Sequence, residues 1–246
     1  MQSNWQERTQ LMLGDVGLAR LNNAHVLVAG LGGVGAVVAE MLCRAGIGTL
    51  TIADADKIQS SNRNRQILAL SSNEGIDKTR VMSARLLDIN PDLHLNVFNH
   101  YLKDQSIIDL LSQPFDYVVD AIDTLSPKLY FVYYALMNKH KLVSSMGAGG
   151  KLEPSLVKIG DISESYQCKL AFDLRKRLRR KGITNGFKVV FSSEPVPDHT
   201  IIRDESEKNK KSNVGTISYM PPIFGCYCAS VVIRDLINDD NYASNL

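Results

Sequence analysis

The chain has 246 residues, which is enough for one large domain or two small ones with a substantial hydrophobic core. Apolar residues make up 44% of the chain and charged residues 22%, which is ordinary for a soluble globular protein. The net charge of +2 is too small to predict nucleic-acid binding by itself, so any basic surface must be local.

The N-terminal segment MQSNWQERTQLMLG is polar and lacks the apolar region of a signal peptide. No apolar run approaches the roughly 18 residues that a membrane span needs, so we expect no membrane partner. Cysteines stand at positions 43, 168, 226 and 228, a spacing that matches no small disulfide framework. We therefore expect a cytoplasmic protein with reduced thiols.

The first 150 residues alternate predicted strands and helices. After a helix over residues 4–22, strands are predicted at 25–30, 49–54, 93–99, 117–123 and 141–146. The intervening helices are predicted at 33–46, 74–90, 104–112 and 126–139. The strands are short and nearly continuously apolar, which is typical of strands buried on both faces. This alternation predicts an α/β fold with a Rossmann-like, mostly parallel sheet and helices on both faces.

The last third of the chain is less regular. Strands are predicted at 156–162, 187–192 and 214–220, and helices at 168–181 and 221–237. Residues 192–213 are polar, charged and proline-containing, which predicts a mobile crossover loop. We expect a single domain over residues 1–246, with a nucleotide-binding core at 1–150 and elaborated C-terminal elements at 151–246.

A glycine-rich turn, GLGGVG at residues 30–35, follows the first predicted strand and opens a helix. Glycines allow a tight turn and close approach to a ligand, and the helix N-terminus offers unpaired N–H groups to phosphate. Asp54 ends the next strand, where a carboxylate can bind ribose hydroxyls. The pattern predicts a nucleotide site but does not separate NAD from ATP. Its predicted ligands are Gly30, Gly32, Gly33, Gly35 and Asp54.

The residues that follow favour a triphosphate. Asn62, Arg65 and Lys78 come after the ribose carboxylate, and Asp123 ends a later strand. Because the carboxyl ends of parallel strands face one crevice, these side chains can converge. Two cations and an amide beside a carboxylate suit a magnesium-bound triphosphate, with Asp123 holding the metal. For Arg65 or Lys78 taken alone, a solvated charged loop is the favoured interpretation, and only the combination of residues in this order favours a phosphate site.

Four motifs carry a family resemblance. They are the glycine turn, N-x-N-R-Q at residues 62–66, DAIDT at 120–124 and MGAGGKLEP at 146–154. With them the chain resembles the ubiquitin-activating and molybdopterin/thiamine-adenylyltransferase superfamily, and within it most closely the tRNA threonylcarbamoyladenosine dehydratases. The resemblance covers roughly residues 8–237. The last two motifs are much more specific than the glycine turn.

The resemblance implies roles for individual residues. Asp54 would hold the ATP ribose, with Asp56 beside it, and Asp123 would contact magnesium near the attacked α-phosphate. Arg8 would reach the γ-phosphate of a partner subunit's ATP, which requires a homodimer. The phosphate-binding residues implied are Asn62, Arg65 and Lys78, and the catalytic residues implied are Arg65, Lys78 and Asp123.

The resemblance also implies a reaction. A threonyl carboxylate of N6-threonylcarbamoyladenosine at position 37 of tRNA would be adenylated by ATP with loss of pyrophosphate. The modification's own ureido nitrogen would then attack the activated carbonyl, close a ring and release AMP. This chemistry needs positioning and charge stabilisation more than an elaborate acid–base pair.

Two further segments are candidate substrate contacts. The basic run at residues 174–181 would expose a positive stripe to tRNA phosphates, although a solvated helix face is the alternative. The small residues 147–150, which follow the strand predicted at 141–146, would let the substrate carboxylate approach the bound nucleotide. A plain turn is the alternative. The sequence contains no RNA-recognition motif or aromatic platform, so we expect recognition by shape and charge. The predicted contacts are Gly147, Gly149, Gly150, Arg175, Lys176, Arg179 and Arg180.

Several alternatives remain open. An adenylyltransferase for a ubiquitin-like sulfur carrier would have paired C-x-x-C motifs, which this sequence lacks, so no structural zinc is expected. An NAD-dependent oxidoreductase would have no use for Arg65 and Lys78, and a non-catalytic nucleotide sensor is a third alternative. Cys168 at a helix start could be a nucleophile, but a packing role is favoured, as it is for Cys43. A sulfur-transfer protein as an additional partner is left open.

Overall fold

The computed structural model describes residues 5–203 and 212–238. Its centre is a seven-stranded sheet with the order β3-β2-β1-β4-β5-β7-β6. Every neighbouring pair in this sheet is parallel except β6 and β7, so the predicted mostly parallel α/β sheet is confirmed. The strands are β1 (His25–Ala29), β2 (Thr49–Ala53), β3 (His94–Phe98), β4 (Tyr117–Asp120), β5 (Leu142–Ser145), β6 (Val157–Asp161) and β7 (Lys188–Ser192).

Helices cover both faces of this sheet. Residues from α2, α3 and α7 form one apolar cluster, and residues from α4, α5 and α6 form the other. Alternate residues of β1 point to opposite clusters, as strand geometry requires. The helices are α1 (Glu7–Asn23), α2 (Gly35–Ala45), α3 (Lys78–Ile89), α4 (Gln105–Leu111), α5 (Leu125–Met137), α6 (Lys169–Arg179) and α7 (Met220–Ile237).

The strand order places a crevice above the middle of the sheet. β1 pairs with β2 on one side and with β4 on the other, so the chain crosses over in opposite directions from β1. Ligands of such sheets bind outside the carboxyl ends of the strands at this switch point. The glycine turn after β1 and the segment after β4 therefore face the same crevice.

The predicted strand at residues 214–220 is wrong. Short strands β8 (Ile201–Arg203) and β9 (Ser212–Val214) form an antiparallel hairpin, and the chain is irregular from Gly215 to Tyr219. The Gly215 N–H still donates to the Thr200 carbonyl opposite it, but the Gly215 carbonyl accepts from Gly150, so the hairpin pairing ends at this residue. Residues 204–211 of the predicted crossover loop lie outside the described residues, and the mobility of that loop stays a prediction.

Helix α7 corrects the expectation about apolar runs. With 18 residues and a mean hydropathy of 1.3, it is long and apolar enough by composition to cross a membrane. In the structure, 44% of the helix is buried, including Phe224, Cys228 and Val232. α7 packs against α1, α2 and the sheet, which is the arrangement of a core helix.

Candidate active site

The glycine turn brings four parts of the chain together. Gly30 has a φ of 89°, and a Cβ placed on it would lie 2.8 Å from the Ala121 carbonyl oxygen, just beyond β4. A Cβ on Gly33 would lie 2.9 Å from the Arg65 carbonyl oxygen and 2.8 Å from Pro221 Cβ in the first turn of α7. Glycine is therefore required here by the close approach of the neighbouring backbone. The turn leads directly into α2, as predicted.

Asp54 is held against this turn. One carboxylate oxygen accepts the Leu31 N–H at 2.6 Å and the other accepts the Asp56 N–H at 2.7 Å. Burial raises the pKa of Asp54, while the charge of Lys78 and the two backbone hydrogen bonds oppose the rise. Since a carboxylate offers about four lone pairs, Asp54 can accept ribose hydroxyls in addition to the two backbone donors.

Lys78 begins α3 with its ammonium inside the protein. The residue is 5% exposed, and its Nζ lies 2.7 Å from a carboxylate oxygen of Asp56. The Lys78 backbone N–H also donates to the Asp56 carbonyl oxygen at 3.0 Å. Asp56 itself is exposed, so an arriving phosphate could share the Lys78 ammonium with it.

The segment with Asn62 and Arg65 folds over the glycine turn. Asn62 is buried, and its side-chain oxygen accepts the Gln59 N–H at 3.1 Å. The Arg65 guanidinium donates to the Ser61 carbonyl oxygen at 2.9 Å and to the Asn64 side chain at 2.8 Å. In the structure, both side chains therefore stabilise their own loop, and their phosphate contacts stay a prediction.

Gln66 was not among the predicted site residues. Its side-chain Oε1 is buried and has no hydrogen-bond partner among the described residues, while Nε2 lies 3.8 Å from a Cβ placed on Gly32. A buried acceptor without a partner costs free energy, and such groups are frequent where a ligand or water completes the bonding. Its place in the N-x-N-R-Q motif was the available signal.

Asp120 and Lys128 were also missed. Both side chains are fully buried, and Lys128 Nζ lies 2.7 Å from an Asp120 carboxylate oxygen. Asp120 also accepts the Ser144 hydroxyl at 2.5 Å and the Ile122 N–H at 3.1 Å. Lys128 in turn donates to the carbonyl oxygens of Ile122 at 3.0 Å and of Ser145 at 2.7 Å.

This buried pair fixes the chain just before Asp123. Asp123 is exposed beyond the end of β4, and the peptide before it is hydrogen-bonded to both Asp120 and Lys128. The neighbouring Ala121 touches Gly30 of the glycine turn. The structure therefore places Asp123 on the crevice side of the sheet, on a rigidly held segment. Its magnesium contact stays a prediction.

The glycines after β5 contact the crossover segment. A Cβ on Gly149 would lie 3.1 Å from Val214, and one on Gly150 would lie 2.5 Å from Val196. The Gly147 N–H points at Cys168 Sγ, 3.4 Å away, at the start of α6. Close packing against Val214 and Val196 thus accounts for Gly149 and Gly150. A substrate contact there stays a prediction.

Lys151 follows these glycines and is 2% exposed. Its ammonium donates to the carbonyl oxygens of Gln167 and Glu194, and burial lowers its pKa. Cys168, 9% exposed, also accepts the Ala171 N–H at 3.5 Å as the N-cap of α6. These contacts tie the MGAGGKLEP motif to both the crossover segment and the basic helix.

The predicted RNA-binding residues divide into two groups. Lys176, Arg179 and Arg180 are exposed on α6 or directly after it. Arg175 is partly buried, and its guanidinium donates to the carbonyl and hydroxyl oxygens of Ser165. Arg175 therefore has a local structural role, whereas the other three present their charges to solvent.

Arg8 is exposed in the first turn of α1. It lies near Gln6, whose amide approaches Gly46 at the C-terminal end of α2. The glycine turn is at the other end of that helix, roughly 16 Å away at ~1.5 Å per residue. The contact of Arg8 with a partner subunit's ATP stays a prediction.

The remaining cysteines are not activated. Cys43 and Cys228 are buried, and burial raises their pKa to about 11 and about 12. Cys226 is exposed, and partial burial of its thiol raises its pKa. Across residues 5–203 and 212–238, no group of three or more His, Cys, Asp and Glu side chains is arranged to hold a metal ion.

A glycine turn after β1, a partly buried aspartate after β2 and a mostly parallel sheet are the features that the comparison with known families has to match. The ThiF family model matches residues 6–246, and the chain therefore belongs to the ThiF family. The family resemblance predicted from the sequence motifs is confirmed.

The similarity is more specific than the family. The chain is 34% identical over 239 residues to the tRNA threonylcarbamoyladenosine dehydratase of Bacillus subtilis, covering 94% of each chain. It is 33% identical to the Escherichia coli enzyme of the same name, covering 95% of this chain and 94% of the relative. The crystal structure of that Escherichia coli enzyme in complex with ATP matches with a TM-score of 0.86 and 31% identity. This match covers 99% of this chain and 98% of the other.

A sulfur-carrier relative matches less of the chain. The ThiS adenylyltransferase of Escherichia coli is 33% identical over 148 residues, which cover 58% of this chain and 59% of the relative. The similarity to the two dehydratases covers 94% and 95% of this chain and therefore includes most of the C-terminal third.

Proposed function

We propose that the protein is an ATP-dependent tRNA threonylcarbamoyladenosine dehydratase that acts on the modified adenosine at position 37. The observation that carries this proposal is the similarity to two dehydratases over nearly the whole chain, including the basic helix and the MGAGGKLEP segment. The similarity to an ATP-bound structure supports ATP as the activating substrate.

In this proposal the glycine turn and the N-terminus of α2 receive the phosphates, and Asp54 accepts the ribose hydroxyls. Lys78 supplies positive charge from a buried position beside Asp56. Arg65 turns from its loop carbonyl toward the triphosphate. Gln66, whose Nε2 lies near Gly32, has a buried Oε1 that could accept from a nucleotide donor.

Magnesium fits the donor set as an ion that arrives with the triphosphate. The exposed carboxylate of Asp123 would supply the protein ligand, and phosphate oxygens would supply most of the others. When bound, the ion would offset charge on the phosphate oxygens. The segment that carries Asp123 is held by Asp120 and Lys128, so the carboxylate would not need to be ordered during the reaction.

The reaction has two steps. An oxygen of the threonyl carboxylate bonds to the α-phosphorus, the bond between the α- and β-phosphates breaks, and pyrophosphate leaves. The ureido nitrogen then bonds to the activated carbonyl carbon and loses its proton, while the acyl C–O bond breaks and AMP leaves with that oxygen. The atoms lost from the nucleoside are those of one water.

A homodimer and a cytoplasmic location are part of the same proposal. The position of Arg8, about one helix length from the glycine turn of its own subunit, supports a role at a partner's site. Sedimentation of the purified protein would measure the oligomeric state, and mixing an Arg8→Ala subunit with an inactive Asp123→Asn subunit tests the shared site. Partial recovery of activity in the mixture is expected for a shared site; no recovery would place Arg8 outside it.

The function is tested with purified protein, ATP, magnesium and tRNA that carries threonylcarbamoyladenosine. Mass spectrometry of the digested nucleosides should find the loss of one water, together with AMP and pyrophosphate. tRNA without the modification is the matched control and should give neither product. Pyrophosphate release that depends on a sulfur-carrier peptide, with no change in tRNA, would overturn the proposal in favour of the alternative.

A further inference from the structure

An aromatic and basic surface is formed where α5 meets α6. Tyr130 on α5 is 43% exposed and Tyr133 on the same helix is half-buried. Lys181, just after α6, places its Nζ 5.1 Å from the ring centroid of Tyr130 and 4.4 Å from that of Tyr133. On α6 itself, Phe172 is 55% exposed. We call the surface formed by Tyr130, Tyr133, Phe172, Lys176 and Lys181 the α5–α6 surface.

Helical spacing arranges the charges between the aromatic rings. Ala171, Leu174 and Leu178 form the buried side of α6, so residues about half a turn away face solvent. Lys176 and Arg180 lie in the middle of that exposed side. Arg177 and Lys181 lie on the margin next to α5, whereas Phe172 and Arg179 lie on the opposite margin. The basic stripe therefore has the two tyrosine rings at one margin and the single ring of Phe172 at the other, near the start of α6.

This surface adjoins the crevice that contains Asp123. Arg177 Nη1 lies 3.5 Å from the hydroxyl of Ser126 in the first turn of α5, and Ser126 follows Asp123 by three positions. At its other end, α6 begins with Cys168 against Gly147. A polymer bound along α6 would therefore have access to the reacting end of the site.

The excess of positive charge on this surface favours a polyanion as its ligand. Seven basic residues lie between positions 169 and 181, and the one acidic residue in that interval, Asp173, pairs with Lys169 at 3.4 Å. Duplex RNA would use the charges but not the aromatic rings, because its bases are stacked inside the helix. Unpaired bases in a loop expose their faces, and stacking on aromatic side chains is how proteins bind them.

We propose that Tyr130 and Tyr133, with Lys181, form a stacking site for an unpaired base of the substrate RNA, and that Phe172 offers a second ring across the basic stripe. The inference rests on the proposed function, since it assigns the region of the protein that holds the anticodon loop. With this stacking site the protein would recognise exposed bases as well as the phosphate charges.

The experiment compares two RNA probes with the full-length protein. One is a hairpin with an unpaired loop of anticodon-loop size, and the other is a blunt duplex of the same number of nucleotides. The Tyr130→Ala/Tyr133→Ala double variant should bind the hairpin about tenfold more weakly. Its affinity for the duplex should be unchanged. The salt dependence of hairpin binding should keep the wild-type slope, because the variant retains every cation that neutralises phosphate.

Control variants separate stacking from folding. Tyr130→Phe/Tyr133→Phe keeps the ring faces and should retain hairpin affinity, and Tyr101→Ala removes an equally exposed tyrosine, 44% exposed, at another place. Equal hairpin affinity of the alanine double variant and the wild type, or an equal loss for both probes, would overturn the stacking site. Failure of the wild type to remove water from modified tRNA would overturn the proposed function instead, and the comparison of the two probes would still decide the stacking site.

Discussion

Lys128 and Asp120 form an ion pair of 2.7 Å in which neither side chain has any solvent exposure. Asp120 is the last residue of β4 and Lys128 lies in the first half of α5. Burying two charges costs several kcal/mol, which is offset only when the remaining donors and acceptors are also satisfied. Here they are bonded to the chain segments that lead to Asp123 and to the glycines after β5.

We expect Lys128→Met to lower the free energy of unfolding by about 3–5 kcal/mol, because it leaves the Asp120 carboxylate buried without its counter-charge. Urea denaturation of the purified variant measures this value. Lys141→Met removes an exposed lysine and should change stability by less than about 0.5 kcal/mol. The double variant Lys128→Met/Asp120→Asn should recover part of the loss; a cost no larger than that of Lys141→Met would refute the anchoring role.

Asp123→Asn should reduce AMP formation by about a hundredfold or more, because the exposed carboxylate proposed to hold magnesium is removed. Since this side chain is exposed, the thermal midpoint should stay near that of the wild type. AMP release with modified tRNA measures the effect. Asp88→Asn changes an exposed carboxylate on α3 and should be fully active; wild-type activity of Asp123→Asn would exclude Asp123 from the reaction.

Nucleoside binding should weaken as the pH falls through the raised pKa of Asp54. Burial raises that pKa, so the carboxyl becomes protonated at a higher pH than an exposed aspartate and loses acceptor capacity for ribose hydroxyls. Above the raised pKa, affinity should be constant. Calorimetric titration with adenosine at about pH 4 to 8 tests this, since the ligand has no phosphate that titrates there.

Asp54→Asn provides the control for this pH dependence. The variant has no titrating group at position 54, so its weaker binding should be nearly independent of pH over the same interval. A pH profile in the variant equal to that of the wild type would assign the dependence to another group.

Gly33→Ala should destabilise the fold, because its new Cβ would meet the Arg65 carbonyl oxygen at 2.9 Å and Pro221 at 2.8 Å. Overpacking of this kind costs about 1–3 kcal/mol. Gly32→Ala is the matched control, since its Cβ meets only Gln66 Nε2, at 3.8 Å. Thermal unfolding without nucleotide should therefore separate the two variants. Equal thermal midpoints of the two variants would indicate that α7 and the loop with Arg65 move away from the added methyl group at little cost in stability.

The two groups of basic residues on α6 should behave differently. Lys176→Ala/Arg180→Ala should weaken tRNA binding and reduce the slope of log affinity against log salt, by about 0.7–0.9 for each phosphate that is no longer neutralised. Arg175→Ala should instead lower stability, because its guanidinium is bonded to Ser165. Filter binding over a salt series, together with thermal unfolding, measures both effects. An unchanged salt dependence of tRNA binding in Lys176→Ala/Arg180→Ala would indicate that these two side chains face solvent and do not contact tRNA.

The order of strands and helices was predictable because hydrophobic periodicity carries it. The glycine turn, Asp54 and the segment before Asp123 also meet at one crevice, as the geometry of parallel strands predicts, while their contacts with a nucleotide stay predictions. The predicted strand at 214–220 failed because the Gly215 carbonyl bonds to Gly150 instead of the hairpin partner, a long-range contact that local alternation does not encode.

Buried polar residues were the main omission. In the sequence, Lys128 and Gln66 look like ordinary surface residues, and only the packed structure places them inside. The α5–α6 surface was not predicted from the sequence for a related reason. Tyr130 and Lys181 are far apart in sequence, and their contact depends on how α5 packs against α6.

The contact between α7 and the glycine turn has a consequence for biosynthesis. Pro221 packs against Gly33, and Gly225 approaches the Val34 carbonyl oxygen, so the glycine turn is completed by a helix that is synthesised much later than the turn itself. A nascent chain that ends before α7 would have the phosphate-binding turn but not the surface that supports it. Competence to bind nucleotide should therefore arise only after α7 has been synthesised and has packed against the turn.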